Sequence, residues 1–325
     1  MKILVIGAGG MIGRKLVEAL LASGTLGGKS IRQIIAYDLM EPEFASDDIS
    51  ISSIAGDFGA TGEAERLIAD RPDVIFHMAA IVSGEAEVEF EKGYRINLDG
   101  SRDLFEAIKS DETYHPRVVF ASSIAVFGAP FPEIIDDVYH RTPLTSYGTQ
   151  KAIVELLLTD FTRKGHFDGI GIRFPTIVVR PGKPNLAASG FFSNIIREPL
   201  AGQQAVLPVS RDVMHWMASP RSAVGFCIRA AEISGDEIGP HRNLSMPGLA
   251  ITVGEMIDGL KRIAGRGVVD RIVEVPDPAI AAIVDNWPRN FEAKRAEGLG
   301  FKAEAQFEDI IRAHIEDELN GEFVA

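Results

Sequence analysis

Cysteine is nearly absent: Cys227 is the single one in 325 residues. No internal disulfide can form and no cysteine-based zinc site can be built, usage that fits a reducing compartment, so a cytoplasmic location is expected. Basic residues are also scarce, with 33 Lys and Arg against 46 Asp and Glu for a formal charge of −13. That deficit argues against a general polyanion-binding surface, and neither nucleic acid nor an anionic membrane is expected as a partner. A small anionic substrate, held by one or two local arginines, remains compatible with it. No apolar run approaches the ~20 residues of a membrane-spanning helix. The N-terminus carries one lysine and a short apolar strand that runs into glycines, the pattern of neither a signal nor a transit peptide. Seven scattered histidines make no His-Glu-x-x-His cluster and no Gly-x-Ser-x-Gly elbow is present, so no metal site of that kind and no hydrolase nucleophile is expected. Internal repeats and low-complexity tracts are lacking too.

An apolar content of 46% supports one large α/β unit, or a larger and a smaller lobe around one cleft. Residues 2–6 read as a buried strand, followed by Gly7-Ala8-Gly9-Gly10-Met11-Ile12-Gly13 and an amphipathic run over 14–22. Strand, tight glycine turn and helix form a phosphate cradle, in which backbone N–H groups and a helix N-terminus face a pyrophosphate. Gly7, Gly10, Met11, Ile12 and Gly13 are therefore candidate dinucleotide contacts. A second strand over 32–38 ends in Asp38, a carboxylate placed to accept the adenosine ribose hydroxyls and to repel a 2′-phosphate. No basic residue follows in Leu39-Met40-Glu41, which favours NAD over NADP. Asp57 and Phe58, after a third strand at 49–55, are candidates for the adenine. Ala79 and Ala80, ending a strand over 74–78, are small enough for a cofactor to lie against the backbone.

Residues 85–110 have helical spacing and carry Asn97, a candidate for the site on an otherwise amphipathic stretch. A strand over 117–121 ends at Ser122 and Ser123, where open α/β sheets place their chemistry. A Pro-containing segment then leads to Ser146-Tyr147-Gly148-Thr149-Gln150-Lys151. On a helix over 147–164, Tyr147 and Lys151 fall one turn apart on one face. With 5 tyrosines in the chain, a Tyr-x-x-x-Lys spacing arises by chance in about one chain in six; its weight comes from the order of motifs around it. An ammonium about 4 Å from a phenol contributes roughly 4 kcal/mol at an effective dielectric of about 20. Lys151 is therefore expected to draw the Tyr147 pKa down and make it an acid-base catalyst near neutral pH. Strand and helix alternation continues to a strand over 169–174 and then breaks down. Residues 210–221, with two arginines, a histidine and a tryptophan, read as a ligand-contacting loop.

The set Gly7-x-x-Gly10-x-x-Gly13, Asp38, Ser123 and Tyr147-x-x-x-Lys151 resembles the extended short-chain dehydrogenase/reductase family over nearly the whole chain. The resemblance implies an α/β fold: a Rossmann-type doubly wound parallel sheet with a smaller C-terminal substrate-binding lobe. The expected division is 1–175 for NAD binding and 176–325 mainly for substrate, some segments returning to the first part. It implies bound NAD and a catalytic group of Ser123, Tyr147 and Lys151. The same resemblance implies that Tyr147 and Lys151 also face the cofactor and that the nicotinamide is to be expected near Pro175 and Thr176. Nucleotide-sugar epimerases of the family commonly continue from the arginine of the sixth strand into Asn and a Gly-Pro turn; here Arg173-Phe174-Pro175-Thr176 stands instead. Segments 80–85, 180–185 and 216–221 resemble a group in the family that oxidises the 2-hydroxyl of a four-carbon sugar acid with NAD. Arg180 is the leading candidate to grip the carboxylate and Arg173 the second; Ser83, Ser122, Asn185 and His215, with Ser123 and Tyr147, are candidates for the rest of the substrate. A nucleotide-sugar epimerase or dehydratase is the alternative. Apolar positions on the Tyr147 helix and on the helical stretch over 85–110 suggest the face of a homodimer.

Overall fold

The computed structural model describes residues 1–182 and 189–325. Its centre is a parallel sheet of β1 (Lys2–Ile6), β2 (Gln33–Asp38), β3 (Ser50–Ala55), β4 (Val74–His77), β5 (Arg117–Ser123), β6 (Asp168–Phe174) and β7 (Asn243–Ser245). In space the order is β7-β6-β5-β4-β1-β2-β3, every pairing parallel. Successive side chains of a strand point to opposite faces, and here both faces are apolar. Ile3, Val5, Ile34, Ala36, Phe76 and Val119 enter one core. Leu4, Ile6, Ile35, Tyr37, Ile75 and Val118 enter another on the opposite face. Burial on both faces is what a near-continuous apolar strand sequence requires.

Helices cover the two faces. Helix α1 (Met11–Ser23) packs Leu16, Val17 and Leu20 into the first core. Helices α2 (Gly100–Lys109) and α3 (Ser146–Arg163) contribute Leu104, Phe105, Val154 and Leu158 to the second. The stretch expected to be one helical region from 85 onward is broken: Ser83–Val88, Phe90–Gly93, a π-helical Tyr94–Asp99, then α2.

The C-terminal part has its own core, formed by α4 (Gly190–Leu200), α6 (Val253–Ala264) and α7 (Phe307–Glu318), with Phe192, Ile196, Met256, Leu260, Phe307 and Ile311 inside. Chain position alone does not separate the lobes. Strand β7 pairs with β6, and α5 (Pro220–Glu232) buries Ala223, Phe226, Cys227 and Ala230 with Leu16, Val17 and Leu20 of α1.

The segment read as a ligand-contacting loop holds a buried strand instead. Met214–Ala218 pairs antiparallel with Leu249–Thr252 and parallel with Thr176–Ile177. Its polar-looking residues are satisfied internally: the Trp216 indole N–H donates to the Met246 carbonyl at 3.1 Å, and His215 meets Thr176. Among the described residues, no helix is long and apolar enough to cross a membrane.

Phe226 is fully buried beneath the sheet although it lies far beyond the Tyr147 helix in sequence. Phe226→Ala is expected to cost about 3–5 kcal/mol of stability, measured as a lowered denaturation midpoint; a loss below about 1 kcal/mol would show that α5 is not part of the sheet's core.

Candidate active site

The sheet's order reverses between β1 and β4, and the carboxyl ends of the strands around that point form a crevice. Gly7 leaves β1 with φ +92°, and a Cβ there would lie 2.5 Å from the Ala79 nitrogen. Gly13 lies so close beneath the turn that a Cβ would overlap the Gly7 carbonyl oxygen. Met11 and Ile12 begin α1, whose N-cap, Gly10, offers no side chain to the first-turn N–H groups. A helix terminus of this kind, free of a side-chain cap, suits an anion. Asp38 stands at the end of β2; its carboxylate accepts from the Gly9 N–H at 2.8 Å and from the Leu39 N–H at 2.7 Å. The turn and the acid are thus one unit, and these residues fit a dinucleotide. Ala79 donates its N–H to the Ile6 carbonyl at 2.9 Å, and with Ala80 it is half-buried. Asp57 accepts from Arg95 at 2.8 Å and from the Gly59 N–H at 3.0 Å. Phe58 is buried with its ring 4.8 Å from that of His77; it is turned into the core.

Ser123 ends β5, two residues beyond the strand end expected from sequence. Its hydroxyl accepts from the Ala125 N–H at 3.1 Å, opening a single 3-10 turn. Thr145 caps α3 by accepting from the Gly148 N–H at 3.0 Å. Gly148 lets that first turn press on the Ala125 carbonyl, where a Cβ would not fit. Tyr147 is thereby placed beside Ser123.

Lys151, one turn on, is buried. Its ammonium donates to the Ala121 carbonyl at 2.7 Å and lies 4.6 Å from the Phe120 ring centroid and 5.7 Å from that of Tyr147. The expected lowering of the phenol pKa by Lys151 does not appear. Burial pushes Tyr147 up to about 12, and the groups opposing that rise are the Ser123 hydroxyl and the Arg180 charge. Lys151 itself is pushed down to about 7 by burial, with Glu155 pulling the other way. Removal from water outweighs these opposing interactions, because each charged form loses its hydration. Tyr147 keeps part of its surface exposed, so solvent or a ligand still reaches it.

Arg180 comes from the other lobe. Its Nε donates to the Ile177 carbonyl at 2.9 Å and one terminal nitrogen to Ser189 at 3.2 Å. Arg173 does not offer itself to the cleft: it is buried and grips Glu155 through two bonds of 2.8 Å. Ser122 is likewise committed to Glu155, at 2.6 Å. Asn97 is buried and holds the Ile81 main chain at 2.7 and 3.0 Å and Gln150 at 2.7 Å, so it shapes the loop after β4. His215 is buried, 2.6 Å from Thr176 and stacked on Phe192; burial first, then the Arg180 charge, push its pKa down to about 4. Pro175 is buried beside Thr176. Ser83 is exposed at the start of its helix, and Asn185 lies outside the described residues. Sequence reading passed over Glu155, Arg141 and Thr145. The acid four residues after Lys151 was the available signal for the first.

A glycine turn locked to an acid at the end of β2, with a serine at the end of β5 and a tyrosine and a lysine on α3, is the layout of an extended short-chain dehydrogenase/reductase. The chain belongs to the NAD dependent epimerase/dehydratase family, whose model matches residues 3–217; NAD is its cofactor. Among its relatives are the D-erythronate dehydrogenases of Cupriavidus necator, 41% identical over 98% of each chain, and of Haemophilus influenzae, 37% identical over 97% of this chain and 99% of that one. A solved structure from Agrobacterium tumefaciens, described as a nucleoside-diphosphate-sugar epimerase, is 59% identical with a TM-score of 0.97, covering 99% of this chain and 95% of its own. An L-threonine dehydrogenase from Cupriavidus necator shares the fold, with a TM-score of 0.84 at 20% identity over 98% of this chain and 99% of its own.

Asp38 both accepts from the glycine turn and ends β2. Asp38→Asn is expected to weaken NAD binding about tenfold, the loss of one hydrogen bond to a charged acceptor, measured by titrating NAD against protein fluorescence; unchanged affinity would remove Asp38 from the ribose site.

Proposed function

We propose that the protein oxidises the 2-hydroxyl of a small sugar acid, D-erythronate in the first place, to the corresponding 2-keto acid with NAD. The observation that carries this reading is Arg180, a cation whose charge acts on the Tyr147 phenol inside a protein of net charge −13. A guanidinium beside an acid-base tyrosine is suited to a substrate whose carboxylate is next to the reacting carbon. With Arg173 committed to Glu155, Arg180 is left as the anchor. The names of the two relatives at 41% and 37% identity support the same substrate.

In this scheme Ser123 and Tyr147 hydrogen-bond the substrate hydroxyl, and Tyr147 as phenolate takes its proton. NAD, when bound, supplies the hydride acceptor and a positive charge that favours the phenolate. Lys151 orients the cofactor ribose and passes the proton on from Tyr147. The C–H electron pair leaves with the hydride, the O–H proton goes to Tyr147, and a ketone remains. His215, kept neutral, and Thr176 line the wall from the second lobe.

The Agrobacterium tumefaciens structure, at 59% identity, favours a second reading, a nucleotide-sugar epimerase, in which the hydride is returned and no NADH accumulates. We also propose a homodimer through the faces carrying Val88, Phe90 and Leu156, which are exposed at 80%, 51% and 55%; a mass of one chain by light scattering would overturn it.

Incubation with NAD and C4 aldonates is expected to build up NADH absorbance with D-erythronate. Arg180→Ala is expected to raise KM for the acid about 100-fold, the worth of a two-bond charged grip, with NAD affinity unchanged. Because Arg180 lowers the Tyr147 pKa, the rise of kcat/KM with pH should also move to higher pH in this variant. Equal loss on a neutral alcohol analogue would rule out Arg180 as the carboxylate anchor, and catalysis without NADH would favour the epimerase.

A further inference from the structure

One buried carboxylate takes no part in the scheme above. Glu155 is fully buried on α3, one turn beyond Lys151. Four donors converge on it: Ser122 at 2.6 Å, Arg173 through two nitrogens at 2.8 Å, and Arg141 at 3.0 Å. Ser122 adjoins Ser123 at the end of β5, Arg173 lies at the end of β6 just before Pro175 and Thr176, and Arg141 belongs to the segment that leads into α3. One side chain thus joins every piece of backbone that presents the Ser123, Tyr147 and Lys151 group.

We propose that Glu155 is a positioning residue of the oxidation: it fastens the strand end bearing Ser123 to the helix bearing Tyr147 and Lys151, and it supplies the negative charge that balances the buried Lys151 ammonium. The proposal rests on the dehydrogenase reading of this cleft. Lys151 faces the Tyr147 ring on its own helix and the Ala121 carbonyl and Phe120 ring on β5; the charge of Glu155 acts on it from one turn further along, and its own charge acts on His77 of β4. His77 is kept neutral, its pKa pushed down to about 3 by burial and by Lys151. Glu155 faces Ser122, Arg173 and Arg141, and its main-chain carbonyl accepts from Asn243 of β7 at 3.1 Å. Among these groups it is the only anion. Burial raises its carboxyl, but Arg173, Ser122 and Arg141 more than offset that and hold it below the usual range. Removing such a carboxylate leaves buried cations uncompensated.

The test compares wild type, E155Q and E155D in NAD reduction across pH. E155Q removes the charge while keeping the shape, so the Tyr147/Lys151 pair should lose its proton more easily; the acid limb of kcat/KM is expected to move down by about one pH unit, with kcat lowered at least about tenfold. E155D keeps the charge and should leave the limb in place. An E155Q enzyme as active as wild type, or one that loses activity with an unmoved limb, overturns the proposal. Should E155Q fail to fold, R141M carries the test: it removes a partly exposed cation beside the carboxylate, so the limb should move up by about 0.3 unit, and no shift overturns the proposal. Melting of the cofactor-free proteins gives a readout independent of turnover. A carboxylate with a depressed folded pKa stabilises fully above its unfolded value of about 4.3 and loses that stabilisation as pH falls through its folded value. The wild-type advantage over E155Q should therefore be full near neutrality and shrink below about pH 4; an advantage constant across that range would leave Glu155 no electrostatic role. Wild type that never reduces NAD with any aldonate refutes the dehydrogenase reading, while the melting comparison still decides the charge balance.

Discussion

An ammonium with almost no access to water has to be held by something other than hydration, and the candidate site is arranged around that requirement. Lys151 meets the Ala121 carbonyl and the face of Phe120, and the charge of the Glu155 carboxylate acts on it from one turn further along. Each contact comes from the sheet or from its own helix, so the position of the cation is fixed by the packing of α3 on β5. Tyr147 inherits its location from the same contact. Burial pushes its pKa up to about 12 even with the Ser123 hydroxyl and the Arg180 charge opposing the rise, so the phenol is favoured over the phenolate. Arg180 is a cation that the second lobe brings to act on this phenol.

The sheet explains why these groups meet. Parallel strands buried on both faces end together, and the reversal of order between β1 and β4 opens a crevice at their carboxyl ends. The glycine turn and Asp38 occupy one side of it, Ser123 with Tyr147 and Lys151 the other. The second lobe contributes the pairing of Thr176–Ile177 with Met214–Ala218, and Arg180, three residues beyond Ile177, acts on Tyr147 of the first lobe.

Much of this was legible in the residues. Strands β1, β2, β4, β5 and β6 show as short apolar runs, and the glycine turn shows because glycine suits the φ of Gly7 and the contact beneath Gly13. The segment over 210–221 misled for a definite reason. His215 and Trp216 carry polar atoms that suggest exposure, yet partners at Thr176 and Met246 make burial tolerable, and those partners are about 30 to 40 residues away. Arg173 was a plausible carboxylate anchor until its bidentate pairing with Glu155 was seen. Nothing local distinguishes a cation that has a buried partner from one that does not.

The amino-acid sequence by itself determined what short-range geometry can carry: a tyrosine and a lysine on one face of a helix, an acid at a strand end, a turn that admits a phosphate, and too little positive charge for nucleic acid. Tertiary structure alone decided the sign of the tyrosine's pKa shift, the partners of each arginine and the return of β7 and α5 to the first lobe. Spacing along a helix is set by bonds a few residues apart. Burial and ion pairing are set by which distant segments displace water from one another, and that competition between lost hydration and gained partners is settled only when the whole chain has folded.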